Sequence, residues 1–245
     1  KIAELQANVT KLESTLPKKV AKLKTQEKKN PFVTHTELGY ISTSGNTDTT
    51  SYSLDANAKK SWGKHALGVS FDGQYADDNG VETKNKFLSE LNYDYSLTDR
   101  LALNYLFGYK DDKFSSYNYQ MYTGPGLKYA AIKEDAHDLS LEGNILYSQD
   151  ELALSAQKRN YSAFRAKAVY AWQIAETLKF TQDISYRSEI EDTNNYFVYS
   201  KTAFISKISD IFSFGINYKI DYVNLVAAPT RHSDKTLTAN LIADY

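Results

Sequence analysis

The residues best suited to chemistry stand in the stretch "HDLS", where His137 and Ser140 lie close together. A hydroxyl nucleophile needs a base within hydrogen-bond reach. His and Ser are the residue types that do this in ester hydrolysis. The remaining histidines are His35, His65 and His232, and the four show no metal-ligand spacing such as H-x-x-x-H. "GPG" at 124–126 has the glycines of a phosphate-cradling loop, but such a loop needs a strand before it and a helix after it. Each candidate therefore depends on the element that carries it.

Those elements are marked by a period of two. In "YSLDANAKKSW" (52–62), Tyr52, Leu54, Ala56 and Ala58 hold one phase and Ser53, Asp55, Asn57 and Lys59 the other. Alternation of this kind makes a β-strand with one apolar face and one wet face. The pattern returns at 67–75, 87–95, 101–109, 139–147, 164–172, 178–187, 212–222 and 237–245, and less clearly in "KTAFISKI" (201–208). Tight turns are expected near Gly63, Thr98, Glu134, Ala175 and Ser209. Between them lie longer polar connections: "STSGNTDT", "DDNGVET", "DDKFSS", "QDELALSAQKRN", "EIEDTNN" and "NLVAAPTRHSD". Six hairpins of about 35 residues give about twelve antiparallel strands.

A β-sandwich would repeat strands and turns too, but its strands are shorter than the ten to twelve residues read here. It also gives no reason for short turns at one end and longer connections at the other. A transmembrane β-barrel supplies both, with strands of about 9–11 residues crossing the bilayer. The mean hydropathy of −0.53 fits, because half of each strand faces water. No apolar segment is long enough for a spanning helix; the longest uncharged stretch, 114–127, contains Gly124, Pro125 and Gly126. Lys plus Arg (29) nearly balance Asp plus Glu (30), which removes the electrostatic case for nucleic acid. The absence of Cys excludes disulfides and thiolate chemistry. The chain opens at Lys1 with no leader-like stretch, as a processed or trimmed protein would.

Strand phase then sorts the side chains. The Tyr52 phase should face lipid, and the polar phase the interior. Lumen-lining residues are expected at Asp55, Asp72, Glu90, Asp94 and Glu142 on the early strands, and at Arg165, Lys167, Lys179, Arg187, Lys201 and Lys219 on the later ones. That is an acidic wall facing a basic wall. Trp62, Trp172, Tyr95, Tyr109, Tyr222 and Tyr245 fall near strand ends, as aromatic girdles at the two membrane interfaces would. The same phase separates His137, at a turn, from Ser140, which points inward, so "HDLS" makes no nucleophile–base pair. "GPG" becomes a kinked strand with small inward residues. No catalytic residue, metal or cofactor is expected, and the protein is not expected to be an enzyme.

Residues 1–33 differ in kind. Ile2, Leu5, Val9, Leu12 and Leu16 form a short heptad seam before Pro17, and "KKVAKLKTQEKKN" continues as a basic linker. The expectation is a coiled-coil-like amphipathic helix ahead of a barrel over 34–245, with both termini in the periplasm.

"ELGYISTSGNTDTTSYSL" (37–54), "KKSWGKH", "YDYSLTDRLALNYLFGYKDDKF", "TGPGLKYAAI" and the terminal "SDKTLTANLIADY" resemble a family of bacterial outer-membrane proteins of unknown function, some called salt-induced outer membrane proteins. The resemblance covers roughly 34–245 and implies location in a Gram-negative outer membrane and barrel architecture. It carries no catalytic or binding residues to this chain.

The function expected is a narrow channel for ions or small polar solutes. The alternative is an anchoring barrel whose charges pair across a closed lumen and whose N-terminal helix binds a periplasmic partner or oligomerises. An autotransporter-like translocator and an outer-membrane phospholipase, both twelve-stranded, are weaker fits. The partners expected are the lipid bilayer of the outer membrane, the barrel-insertion machinery through the aromatic-ended last strand, and a second copy through the helix.

Overall fold

A computed structural model describes residues 32–43, 48–226 and 231–245. Of the helix and linker expected over 1–33, residues 1–31 lie outside these residues. The barrel unit is Phe32–Tyr245.

Twelve strands follow in chain order: β1 Val33–Thr43, β2 Thr49–Trp62, β3 His65–Asp78, β4 Val81–Ser96, β5 Leu101–Asp112 and β6 Tyr117–Lys133. They continue with β7 His137–Leu152, β8 Lys158–Ala175, β9 Leu178–Glu189, β10 Tyr196–Lys207, β11 Phe212–Val223 and β12 Ser233–Asp244. Each pairs antiparallel with the next, and β12 pairs with β1 to close the barrel. The closing seam runs from His35 opposite Asp244 to Gly39 opposite Asn240. Beyond it, Thr34 and Tyr245 exchange backbone hydrogen bonds of 2.6 and 2.9 Å. Closure leaves no free sheet edge, which hydrocarbon would not tolerate.

The strands run from 11 residues in β1 to 18 in β8; β1, β5 and β9–β12 have the expected ten to twelve, whereas β2–β4 and β6–β8 are longer. Periodicity ends where apolar residues end, but a hydrogen-bond ladder does not. β7 continues through Ser148, Gln149 and Asp150, which are polar on both phases. The connection expected at "DDNGVET" is a two-residue turn. β3 ends at Asp78 and β4 starts at Val81, with Asn79 (φ 52°) and Gly80 (φ 76°) between them. An Asn-Gly pair of this kind matches the twist of the flanking strands and needs no further loop. The β7–β8 connection also shortens to 153–157, because both strands advance into it.

Large apolar side chains on the outer wall are exposed, among them Tyr52, Val69, Leu91, Leu103, Ile145, Ile184, Phe204, Ile216 and Leu237. Such a continuous apolar exterior belongs in a bilayer, not in water. A smaller apolar cluster lies inside the barrel, where Leu106, Tyr122, Leu146, Tyr161 and Ala163 pack together with Leu88 against them. It fills the side of the interior lined by β5–β8, so the open space lies beside it.

Candidate functional site

Directly paired residues of neighbouring strands point to the same side of a sheet, so the register assigns faces. Glu37 pairs with Asp55, Asp55 with Asp72, and Ser70 with Glu90. Asp94 pairs with Asn104, which is followed round the wall by Gly126, Asn144, Arg165 and Arg187. Glu142 lies opposite Lys167, Asp183 opposite Lys201, and Lys201 opposite Lys219. Lys179, opposite Gln173 and Ile205, has the same facing. All these side chains project into the barrel, while Tyr52, Leu54, Ala56 and Ala58 project outward. His137 pairs with Trp172 on the outside and Ser140 with Val169 on the inside, so the two stand on opposite faces.

The interior charges pair, some across the lumen and some between neighbouring strands. Lys201 Nζ lies 2.7 Å from Glu37 Oε1 and 2.5 Å from Asp55 Oδ2. Lys219 pairs with Asp72 and, at 3.6 Å, with Asp55. Arg165 reaches Glu90 at 3.2 Å and Glu142 at 3.1 Å. Lys128 pairs with Asp94 at 3.1 Å, and Lys167 with Asp183 at 2.9 Å. Toward the end of the barrel carrying the β3–β4 and β11–β12 connections, the polarity reverses. There Lys86 on β4 pairs with Asp221 (2.6 Å) and Asp234 (2.7 Å), and Lys84 with Asp234 (3.1 Å). Two simple walls of opposite sign are therefore replaced by layers of cross-ties.

Sequence reasoning passed over Lys84, Lys86, Asp112, Asp150 and Asp234. The signal was available: Lys84 and Lys86 share the even phase of Glu90 and Asp94, and Asp150 that of Glu142. Among the described residues, Lys59, Lys179 and Arg187 form no ion pair. Nor do three His, Asp or Glu side chains come together to hold a metal there.

Three voids follow one another along the interior. One of about 310 Å³ is lined by His35, Lys59, Asp94 and Glu142. One of about 200 Å³ is lined by Asp72, Tyr122, Arg187 and Lys201. One of about 250 Å³ is lined by Lys84, Asp112, Tyr117 and Asp234. The first and second share Asn57, Ser70, Glu90 and Lys167, and the second and third share Lys110, Gln120, Asp221 and Val223.

Outside, aromatic residues form ladders near both rims. Trp62 stacks on His65 (5.7 Å) and Trp172 on His137 (5.8 Å), and Tyr95 also touches His65 (5.2 Å). Each of these histidines bonds a tyrosine hydroxyl through Nδ1, His65 to Tyr93 at 2.6 Å and His137 to Tyr170 at 2.8 Å. At the other rim Tyr109 stacks on Tyr119 (5.9 Å), and Tyr222 on Tyr196 (5.7 Å) and His232 (6.0 Å). Tyr245, the last residue, is exposed.

A closed twelve-stranded barrel with an apolar exterior and a charged, partly hollow interior defines a membrane β-barrel of the porin-like class. The fold is similar to the NanC porin (TM-score 0.53, 12% identity, 86% of this chain and 99% of that one). It is also similar to an outer membrane channel from Pseudomonas putida F1 (TM-score 0.50, 8% identity, 87% and 94%). Over residues 36–245 the chain belongs to the family described as protein of unknown function, DUF481. It is 26% identical over 220 residues to the uncharacterized protein YdiY of Escherichia coli (strain K12), covering 87% of this chain and 83% of that protein.

Proposed function

We propose that the protein is an outer-membrane channel for ions and small polar solutes. Its termini and short turns would lie in the periplasm, and its last strand would be read by the barrel-insertion machinery. The observation that carries this reading is the succession of three polar-lined voids that share walls from one end of the barrel to the other. Water in such a passage is flanked by Asp55, Asp72, Glu90, Asp94, Glu142, Arg165, Lys167, Arg187 and Lys201, whose charges bias which ions enter, with Lys179 and Lys219 on the same inward face outside the voids. The Trp62, Tyr95 and Trp172 girdle would sit at one membrane interface, and Tyr109 and Tyr222 at the other.

A second reading rests on the cross-ties. Lys201, Lys219, Arg165 and Lys86 each bridge strands far apart round the wall, and a lumen held shut by them would serve as an anchor, with the N-terminal segment engaging a partner or a second copy. Planar-bilayer recording of the purified chain separates the two. Stepwise ohmic conductance supports the channel, whereas inserted, heat-modifiable barrel without current supports the anchor.

A further inference from the structure

Arg187 is an interior cation that forms no ion pair among the described residues, and its surroundings are built. Its side chain is 7% exposed, and Nη1 has no hydrogen-bond partner. Its guanidinium carbon lies over two aromatic rings, 4.4 Å from the centroid of Tyr122 and 4.4 Å from that of Phe197. Both rings are held. The Tyr122 hydroxyl donates to Glu90 Oε1 at 2.6 Å, and the ring lies across Gly108, where any β-carbon would collide with it. Phe197 packs edge-on against Tyr117 at 5.9 Å. Arg165, the neighbour of Arg187 across the β8–β9 ladder, is already neutralised by Glu90 and Glu142. Arg187 faces the void of about 200 Å³ with its charge unspent.

We propose that Arg187, clamped between Tyr122 and Phe197, is a binding site for the carboxylate group of a small anionic solute. The two rings stabilise the cation and fix its plane. Nη1 is buried and unpartnered, and the in-plane edge of a guanidinium presents paired N–H donors that match the two oxygens of a carboxylate. A clamp set in advance loses little entropy on binding. The carboxylates that line the void, Asp55, Asp72, Glu90, Asp183 and Asp221, are already paired with interior cations, and Asp150 is the nearby unpaired one that opposes this. Its Oδ2 accepts from Tyr161 (2.7 Å) and Gln120 (3.3 Å), while its Oδ1 is buried without a partner. It sits outside ion-pair range of Arg187 among the described residues, as a weak internal competitor for a ligand. The site itself needs no open passage; only the solute's transit rests on the channel reading.

Binding is therefore measured on the folded barrel in detergent micelles, independently of conductance. At fixed ionic strength, lactate should raise the unfolding midpoint in a saturable way, and neutral lactamide should not. Arg187→Gln should abolish the rise, and Arg187→Lys, which keeps the charge and loses the fork, should weaken it severalfold. Asp150→Asn should tighten half-saturation severalfold by removing the competitor. If Arg187→Gln fails to fold, the lactate–lactamide contrast and the Arg187→Lys and Asp150→Asn shifts decide alone. Equal effects of lactate and lactamide would overturn the proposal, as would an Asp150→Asn variant that merely loses stability with no tighter binding. The latter result would make Arg187 and Asp150 an internal charge pair.

Discussion

Lys86 on β4 and Asp221 on β11 meet across the lumen, 2.6 Å from Nζ to Oδ2, although β3, β2, β1 and β12 stand between them round the shorter arc of the wall. Lys86 is 6% exposed along its side chain and also holds Asp234, so one ammonium ties two strands of the far wall. Without Lys86, Asp221 keeps Lys110 at 3.4 Å and Asp234 keeps Lys84 at 3.1 Å, so neither is stripped of every partner. Lys86→Met should therefore cost about 1–3 kcal/mol of barrel stability, less than a fully stripped buried pair would. Adding Asp221→Asn and Asp234→Asn should recover a good part of the loss. Unfolding in detergent measures both, and a fully additive triple variant would show that the ties do not couple.

The outer and inner phases of β2 should respond oppositely to the same substitution. Ala56 lies on the exterior between Thr36 and Phe71, whereas Asn57 lines two of the interior voids. Ala56→Arg should destabilise the barrel by about 2–4 kcal/mol, as a cation near the bilayer midplane does. Asn57→Arg should fold normally. Heat-modifiability on gels and membrane yields report the difference; similar behaviour of both variants would contradict the assigned faces.

Selectivity should reside in the interior cations that have no carboxylate partner. Lys59→Gln with Lys179→Gln should move the reversal potential in a salt gradient toward cations without changing the unfolding midpoint. Neutralising Lys201 instead strips Glu37 and Asp55 of their shared partner and should lower the midpoint. Charges along a confined aqueous path are less screened than those on an open surface, so the shift should persist at moderate salt. No shift from the Lys59 and Lys179 pair would place the selective field elsewhere.

The β3–β4 turn offers a test of backbone rather than charge. Gly80 adopts φ 76°, and a β-carbon there incurs left-handed strain of about 1–2 kcal/mol. Gly80→Ala should lower stability by that amount, while Asn79→Gly should be close to neutral. Both are read from the unfolding midpoint.

How far the sequence speaks is clearest along β2 and β4. Alternation alone assigns Tyr52, Leu54 and Ala56 to one face and Asp55 and Asn57 to the other, because side chains alternate across a strand whatever it pairs with. It therefore also identifies the charged interior and the strand number, while the bilayer as outer solvent follows from strand length and from short turns at one end and longer connections at the other. The Asn79–Gly80 turn was equally legible as a dipeptide signal, yet the polar residues around it read as a longer connection. Lys84 and Lys86 lay in phase with Glu90 but beyond the last clearly apolar neighbours, where periodicity fades and the ladder does not.

Which charges meet was not legible at all. Lys201 and Glu37 are 164 residues apart, and Lys219 and Asp72 are 147 apart. Local pattern fixes the facing of each but not its height along the axis. Height follows from strand tilt and from the stagger accumulated over twelve pairings until β12 meets β1. Closure is a property of the whole sheet, so only the tertiary structure could turn two apparent walls of opposite sign into cross-tied layers. The same closure leaves Arg187 between Tyr122 and Phe197 with no carboxylate in ion-pair range among the described residues.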